Sequence, residues 1–223
     1  MRWRRGEIEA AGEAQADVSF LPAMQRRRLS PLAKAAFATA HPLIGDRDLP
    51  LLCCSVHGEA QRTYSLLSDV AAGESLSPTA FGLSVHNAIA GQLSILCGIQ
   101  SPALALAGGD LPLQAGFLEA AGMLAEGVPE LVLLFCEEPL PELYRSSARS
   151  PRHICATALT LRTAPAEEGD LRCSLLQSDS RGPMPPLESA FDCAEYQLPL
   201  IAALVDGRGS LPLGQGWELK VHG

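Results

Sequence analysis

The sharpest candidate for chemistry is Asp110, the last residue of the turn Gly108-Gly109-Asp110. An apolar run over residues 103–107 predicts a buried strand before the turn, and a helix is predicted from Leu111 or Pro112 to Gly127. A strand that turns sharply into a helix often presents a reactive side chain, because the helix N-terminus favours negative charge. The residue type leaves two roles open for Asp110: a helix cap, or part of an active-site-like cavity.

Several histidines are further candidates. His86 lies two residues after Ser84, which suggests a nucleophile and its base. Residues two apart point in different directions on a helix, however, so structural hydrogen bonds are favoured for both. A structural role is also favoured for His57, in the turn sequence Val-His-Gly-Glu. No metal site is predicted, because the remaining histidines lack acidic or cysteine neighbours at metal-ligand spacing: His41, His153 and His222.

Composition excludes several classes of protein. The 223 residues have a formal net charge of −8 and are 47% hydrophobic, which predicts a sizeable core and disfavours a nucleic-acid-binding protein. Seven cysteines without C-x-x-C spacing indicate buried, reduced thiols in a cytoplasmic protein. We see no signal peptide and no apolar run of the about 20 residues that span a bilayer. Glycine-rich phosphate-binding motifs are absent too, so no cofactor is expected.

The candidate residues must be positioned by alternating strands and helices. Apolar runs predict strands over 49–56, 103–107, 130–136, 153–162, 171–176 and 217–221. Helical patterns cover 31–41, 59–72, 87–96 and 111–127, while 198–205 fits a helix or a strand. Buried strands that alternate with helices of about 12 residues indicate an α/β protein with a mainly parallel central sheet.

The order of small residues before Asp110 is also specific. Asn87, Ala90-Gly91, Gly98 and Ser101-Pro102 precede the predicted strand without a gap. This stretch resembles the β-ketoacyl synthases of fatty-acid and polyketide assembly, in which the corresponding strand ends at a nucleophilic cysteine. The resemblance places Asp110 at the position of that cysteine. It implies a thiolase-like half-fold, with α-β-α layers around a mainly parallel mixed sheet.

Motifs elsewhere in the chain extend the resemblance. They are RRRLS over 26–30, SVHGE over 55–59, SPTAFGLSVHNA over 77–88 and LGQGW over 213–217. They are similar to short β-ketoacyl synthase-like N-terminal domain proteins of aryl polyene pathways, which resemble chain-length factors. We therefore expect a poorly ordered N-terminal segment over residues 1–24 and one domain of this kind over 25–223.

The chain departs from a working synthase in three ways. A carboxylate at Asp110 cannot replace a thiolate in accepting an acyl group from a carrier thioester. No histidine has the glycine-rich context of the two catalytic histidines in the second half of such synthases. The usual opening strand and glycine-rich turn are not evident before residue 25. The resemblance therefore implies no catalytic residue.

What the resemblance implies instead is a partner subunit. The strand before the turn would pair across a two-fold interface with a catalytic β-ketoacyl-ACP synthase subunit, and an acyl carrier protein is a further expected partner. Side chains near the turn would help to close the acyl tunnel of that subunit, although Leu96 and Phe117 serve equally well as core residues. The expected tunnel and interface residues are Gln92, Leu96, Ala103, Ala105, Ala107, Gly108, Gly109, Gln114 and Phe117. Ser84, His86, Asn87 and His57 are expected to be structural.

Two other functions stay open from the sequence. The chain could be an acyl-transferring or condensing enzyme in its own right that uses Asp110 or His86. It could also be a homodimeric thiolase-like protein without acyl chemistry.

Overall fold

The computed structural model describes residues 16–163, 169–178 and 196–222. The first 15 residues of the predicted N-terminal segment lie outside these ranges, as does most of the predicted loop over 163–190. Of the part before residue 25 that is described, Val18 and Leu21 are buried in the core.

Four strands form the central sheet, in the order β2-β1-β3-β4. They are β1 (Leu51–Cys54), β2 (Ala103–Leu106), β3 (Glu130–Glu137) and β4 (Cys155–Arg162). β1 is parallel to both β2 and β3, whereas β4 is antiparallel to β3. β1 and β3 are apolar and buried on both faces, as expected for central parallel strands. The prediction of an α/β protein with a mainly parallel mixed sheet is confirmed.

Seven α-helices are described around this sheet. They are α1 (Ala23–Arg26), α2 (Pro31–Ile44), α3 (Ala60–Ala72), α4 (Pro78–Gly82), α5 (Ala88–Cys97), α6 (Pro112–Ala125) and α7 (Gln197–Asp206). Ser30 and Ser77 cap α2 and α4, since their hydroxyl groups accept hydrogen bonds from the backbone N–H groups of Ala33 and Ala80. Gly73 ends α3 in the left-handed conformation that glycine tolerates best.

Alternate residues of the central strands face two separate hydrophobic cores. Cys53 and Leu134 face the first core, which α2 and α5 cover with residues such as Phe37 and Leu93. Their neighbours along the strands face the second core, which α6 and α7 cover. The sheet is thus sandwiched between helical layers, the arrangement that the sequence predicted.

A second sheet packs on the side of α6 and α7. It is antiparallel, in the order β5-β7-β6, with β5 (Arg172–Gln177), β6 (Gly209–Gly214) and β7 (Trp217–His222). Strands β5 and β7 were predicted, but β6 was not, because its Gly-Ser-Leu-Pro-Leu-Gly sequence has the composition of a turn. The ambiguous segment near residue 200 is the helix α7, whose Leu200 is fully buried in the second core.

One predicted helix end is wrong. The sequence predicts that the first long helix stops at His41-Pro42, but α2 continues through Pro42 to Ile44. Ile44 is 1% exposed in the first core, and the N–H of Gly45 donates to the carbonyl oxygen of His41. Burial of Ile44 and this terminal hydrogen bond offset the single N–H that proline removes near the helix end.

Candidate functional site

The turn at Asp110 has the geometry of a strand that bends sharply into a helix. Gly108 and Gly109 both have positive φ values, 60° and 54°, which glycine adopts without strain. A Cβ atom on Gly108 would lie 2.7 Å from Cα of Pro112, so only glycine fits where the turn approaches α6. The turn is therefore built for close approach of β2 and α6.

Asp110 is exposed at the tip of this turn. Leu111 is the N-cap residue of α6, and among the described residues no side chain caps that helix. The capping role that the sequence left open for Asp110 is therefore wrong. Asp110 lines an open groove of about 450 Å³, whose other lining residues are Gly108, Leu111, Gln114, Ala115, Leu118 and Gln215.

β2 is the outermost strand of the central sheet, and its first half is exposed. The expectation of a buried strand before the turn is wrong for this chain, since Leu104 is 40% exposed. The carbonyl oxygens of Pro102 and Leu106 accept hydrogen bonds from β1, at Leu51 and Ser55. Because backbone groups alternate along a strand, those of Ala103 and Ala105 point away from β1.

The helices beside this edge carry the other predicted tunnel residues. Gln92 on α5 has a buried Oε1 atom without a hydrogen-bond partner among the described residues, and Gln114 on α6 has the same property. Leu96 packs against the first core. Phe117 is 5% exposed and lies 6.0 Å from Phe135, measured between ring centroids, so it is a residue of the second core.

The predicted structural residues make backbone hydrogen bonds. Nε2 of His86 lies 2.7 Å from the carbonyl oxygen of Ser55, and Nε2 of His57 lies 2.8 Å from that of Arg149. The hydroxyl of Ser84 donates to the carbonyl oxygen of Phe81. Ser84 and His86 thus bind different groups, rather than each other. Asn87 precedes α5 as its N-cap residue, and its side chain does not cap the helix among the described residues.

The sequence analysis missed a cluster of buried carboxyl groups. Glu137 is 0% exposed, and its carboxyl oxygens accept hydrogen bonds from the N–H of Val56 and the hydroxyls of Ser55 and Tyr196. Burial raises its pKa from 4.5 to about 7. Glu138 is 3% exposed, and burial raises its pKa to about 7 as well. The sequence feature that could have revealed this cluster is the pair of glutamates that follows the apolar run of β3.

Apolar side chains are exposed along the elements that precede the turn. α3 exposes Leu67 and Val70, and α4 exposes Phe81. Ile95 on α5 is 79% exposed, next to β2. Scattered apolar residues on a surface are ordinary, but a series of large ones on neighbouring elements is typical of a protein interface.

Cys54 is a thiol at the end of β1, but it is fully buried, and burial raises its pKa above the ordinary value. Within the described ranges no three histidine, cysteine or acidic side chains are grouped to hold a metal ion. Nor does any helix there have the length and apolar character to cross a membrane. What the arrangement offers is a strand edge that no other described strand pairs with, beside an exposed carboxylate.

Solved structures with a similar fold are complexes of the ketosynthase type. The chain is similar to the ketosynthase (ApeO) in complex with its chain length factor (ApeC) from Xenorhabdus doucetiae, at a TM-score of 0.72 and 23% identity over 97% of this chain and 88% of that chain. It is also similar to the ishigamide ketosynthase/chain length factor, at a TM-score of 0.59 and 12% identity over 78% of this chain and 61% of that one. These likenesses show the thiolase-like ketosynthase fold.

The family is identified from the sequence. A search of curated proteins gives no match. The model of the family described as "Beta-ketoacyl synthase, N-terminal domain" matches residues 1–214, which is nearly the whole chain. The match includes the strand, the turn and the helix around Asp110. This chain therefore belongs to the β-ketoacyl synthase N-terminal domain family.

Proposed function

We propose that this chain is a non-catalytic, chain-length-factor-like partner of a β-ketoacyl-ACP synthase in type II polyketide, aryl polyene or fatty-acid-like biosynthesis. The observation that carries the proposal is the turn at Asp110. It keeps the strand, glycines and helix of a nucleophile turn, but it presents an exposed carboxylate. A carboxylate cannot take an acyl group from a carrier thioester as a thiolate does.

The mode of binding follows from the edge of the central sheet. The outward N–H and C=O groups of Ala103 and Ala105 are available to a strand of the partner, which would extend the sheet across the interface. Small side chains at these positions let two backbones approach. An exposed apolar edge strand promotes aggregation unless a partner covers it, which supports an obligate complex.

The acyl tunnel of the catalytic subunit would be closed from this side by α5 and the turn. Gln92 is the strongest candidate, since its Oε1 lacks a hydrogen-bond donor among the described residues. Gln114 and the two glycines of the turn would form the adjoining wall. Leu96 and Phe117 would act indirectly, because they pack in the cores beneath these groups.

The cellular setting belongs to the same proposal. Five described cysteines are free thiols, which fits a reducing cytoplasm: Cys53, Cys54, Cys97, Cys136 and Cys173. An acyl carrier protein would deliver the growing chain to the catalytic subunit of the complex.

Co-expression tests the proposed partnership. With a tagged ketosynthase of an aryl polyene pathway, we expect this chain to co-elute in size-exclusion chromatography as a heterodimer of equal parts. A ketosynthase that forms its own homodimer serves as the control and should not retain the chain. A stable homodimer of this chain that binds none of the ketosynthases would contradict the proposal.

Replacing Asp110 by alanine tests the absence of catalysis. Because the partner supplies the nucleophile in our proposal, we expect Asp110→Ala to leave the amount of product within about two-fold of the native complex. Product is measured in a reconstituted reaction with acyl carrier thioesters. A loss of two orders of magnitude, or turnover by this chain alone that Asp110→Ala abolishes, would instead show an independent enzyme.

A further inference from the structure

Two neighbouring carboxyl groups hold the same backbone segment. Glu137 and Glu138 are successive residues at the end of β3, and both are buried. Glu137 accepts a hydrogen bond of 2.6 Å from the N–H of Val56, and Glu138 accepts one of 2.9 Å from the N–H of Gln61. Both donors belong to residues 55–61, which join β1 to the first turn of α3 and which we call the latch segment.

The latch segment holds the start of α3 through polar contacts. Leu66 is the only residue of α3 that is buried, whereas Leu67 and Val70 are more than half exposed. At the start of the helix, by contrast, Gln61 also donates from its side chain to the carbonyl oxygen of Pro139. Just before it, Glu59 accepts a 2.6 Å hydrogen bond from the hydroxyl of Ser30. Polar contacts at one end thus hold α3, rather than an extensive apolar face.

The groups around Glu137 do not neutralise it when it is ionised. In the described parts of the chain it forms no ion pair. It accepts hydrogen bonds from uncharged groups: the backbone N–H groups of Val56 and His57 and the hydroxyls of Ser55 and Tyr196. The thiols whose pKa its charge raises are Cys54 on β1 and Cys136 on β3; both are buried, and neither is a cation. A buried carboxylate without a cation is costly, so this site favours the protonated form.

The surroundings of Glu138 both raise and lower its pKa, and the net effect is again a rise. Burial raises its pKa most, and the like charge of Glu59 raises it further. Hydrogen bonds from the backbone of Gln61 and Ala60, together with the charge of Arg62, oppose that rise. Arg62 is shared, since its Nε atom lies 3.4 Å from a carboxyl oxygen of Glu59.

We propose that Glu137 and Glu138 form a proton-dependent latch that holds α3 against β3 when they are protonated and releases it when they ionise. Opening of the latch segment exposes both carboxyl groups to water. Ionised groups gain more hydration from exposure than protonated groups do, so deprotonation favours the open state.

The direction of the pH effect follows from this linkage. Both groups have a higher pKa in the closed state than a solvated glutamate has, so the closed state binds more protons. Opening therefore releases protons between the solvated pKa of 4.5 and the closed-state pKa of about 7. Protection of α3 is full below that window, is lost as the pH rises through it, and levels off above it.

Hydrogen exchange on the whole chain tests the latch. Protection factors, corrected for the intrinsic pH dependence of exchange, are measured for α3 and α6 between about pH 5 and pH 8. We expect α3 to lose protection about tenfold or more relative to α6 over this range. Equal pH dependence in the two helices would overturn the proposal, and this comparison needs no variant.

Isosteric variants identify the groups responsible. Glu138→Gln should flatten the pH dependence of α3 by removing one titrating group, and Glu137→Gln should do the same for the other. Glu142→Gln is the matched control, because Glu142 is an exposed carboxyl group in the short 3₁₀ helix Glu142–Tyr144 that follows β3. An unchanged slope in both latch variants would overturn the proposal; if neither variant folds, the comparison of α3 with α6 in the native chain decides.

Discussion

Replacing Gly116 by valine should lower the free energy of unfolding by about 3 kcal/mol, the upper part of the range for overpacked cores. A Cβ atom at this position would lie 2.8 Å from ring carbons of Phe135 and 2.9 Å from the sulfur of Cys54. Both neighbours are fully buried, so neither can move aside without disturbing β1 or β3. Urea denaturation followed by circular dichroism measures the change.

The same helix supplies the control for this prediction. A Cβ atom on Gly122 would meet nothing within 4 Å, and this residue is exposed in the second half of α6. Gly122→Ala should therefore raise the free energy of unfolding by about 0.5–1 kcal/mol, because alanine is the better helix former. If Gly116→Val were as harmless as Gly122→Ala, close packing of α6 on the sheet would not hold the site in place.

The contrast between the two glycines bears on the site because α6 begins at the Asp110 turn. Gly116 lets the first half of α6 rest on Phe135 and Cys54 at the centre of the sheet. Gly108 lets β2 approach the start of the same helix, at Pro112. These two glycines thus set the position of α6 relative to the sheet and so the position of the turn at Asp110. This does not depend on the residue type at position 110.

Much of the central sheet could be predicted because its buried strands are apolar in sequence. β1 and β3 have continuous apolar runs, since both of their faces are covered by helices. The small apolar residues of β2 resemble those runs, although β2 lies at the edge of the sheet among the described strands. Whether an apolar strand lies at the centre or the edge of a sheet depends on its neighbours, which local sequence does not specify.

The turn at Asp110 was predicted for a different reason. Local backbone geometry favours glycines and a polar tip in such a turn and a proline at the start of α6. A short stretch of sequence is therefore enough to predict it. The resemblance to the β-ketoacyl synthases then placed Asp110 at the position of their nucleophilic cysteine, which the residue type alone does not indicate. The helix-capping role of Asp110 is excluded by the geometry, since Leu111 is the N-cap residue of α6 and no side chain caps that helix among the described residues.

The buried carboxyl groups could not be predicted in the same way. A glutamate after an apolar strand ordinarily marks the point where the strand reaches solvent. Glu137 is buried because Val56, 81 positions earlier in the chain, donates a backbone hydrogen bond to it. The strand β6 is a similar case, since it is held by pairing with β7 and not by its own β-propensity.

Replacing Ala105 by proline should weaken the proposed complex with a ketosynthase about 10- to 100-fold. Proline removes the N–H that we place on the free edge of β2, so a carbonyl group of the partner strand would be left buried and unpaired. An unsatisfied buried acceptor costs about 1–3 kcal/mol, which corresponds to that loss of affinity. Isothermal titration calorimetry on the separately purified subunits, or competition between tagged and untagged chains, measures the change.

The substitution is specific because the two edges of β2 use different residues. The contacts with β1 come from Pro102 and Leu106, so a proline at position 105 leaves those hydrogen bonds intact. The thermal midpoint of the isolated chain should therefore change little. Ala105→Ser, which keeps the N–H and adds only a small hydroxyl group, should bind like the native chain. If Ala105→Pro folded and bound the ketosynthase as tightly as Ala105→Ser, the partner would not pair with β2, and the interface would have to lie on the exposed apolar faces of α3 to α5 instead.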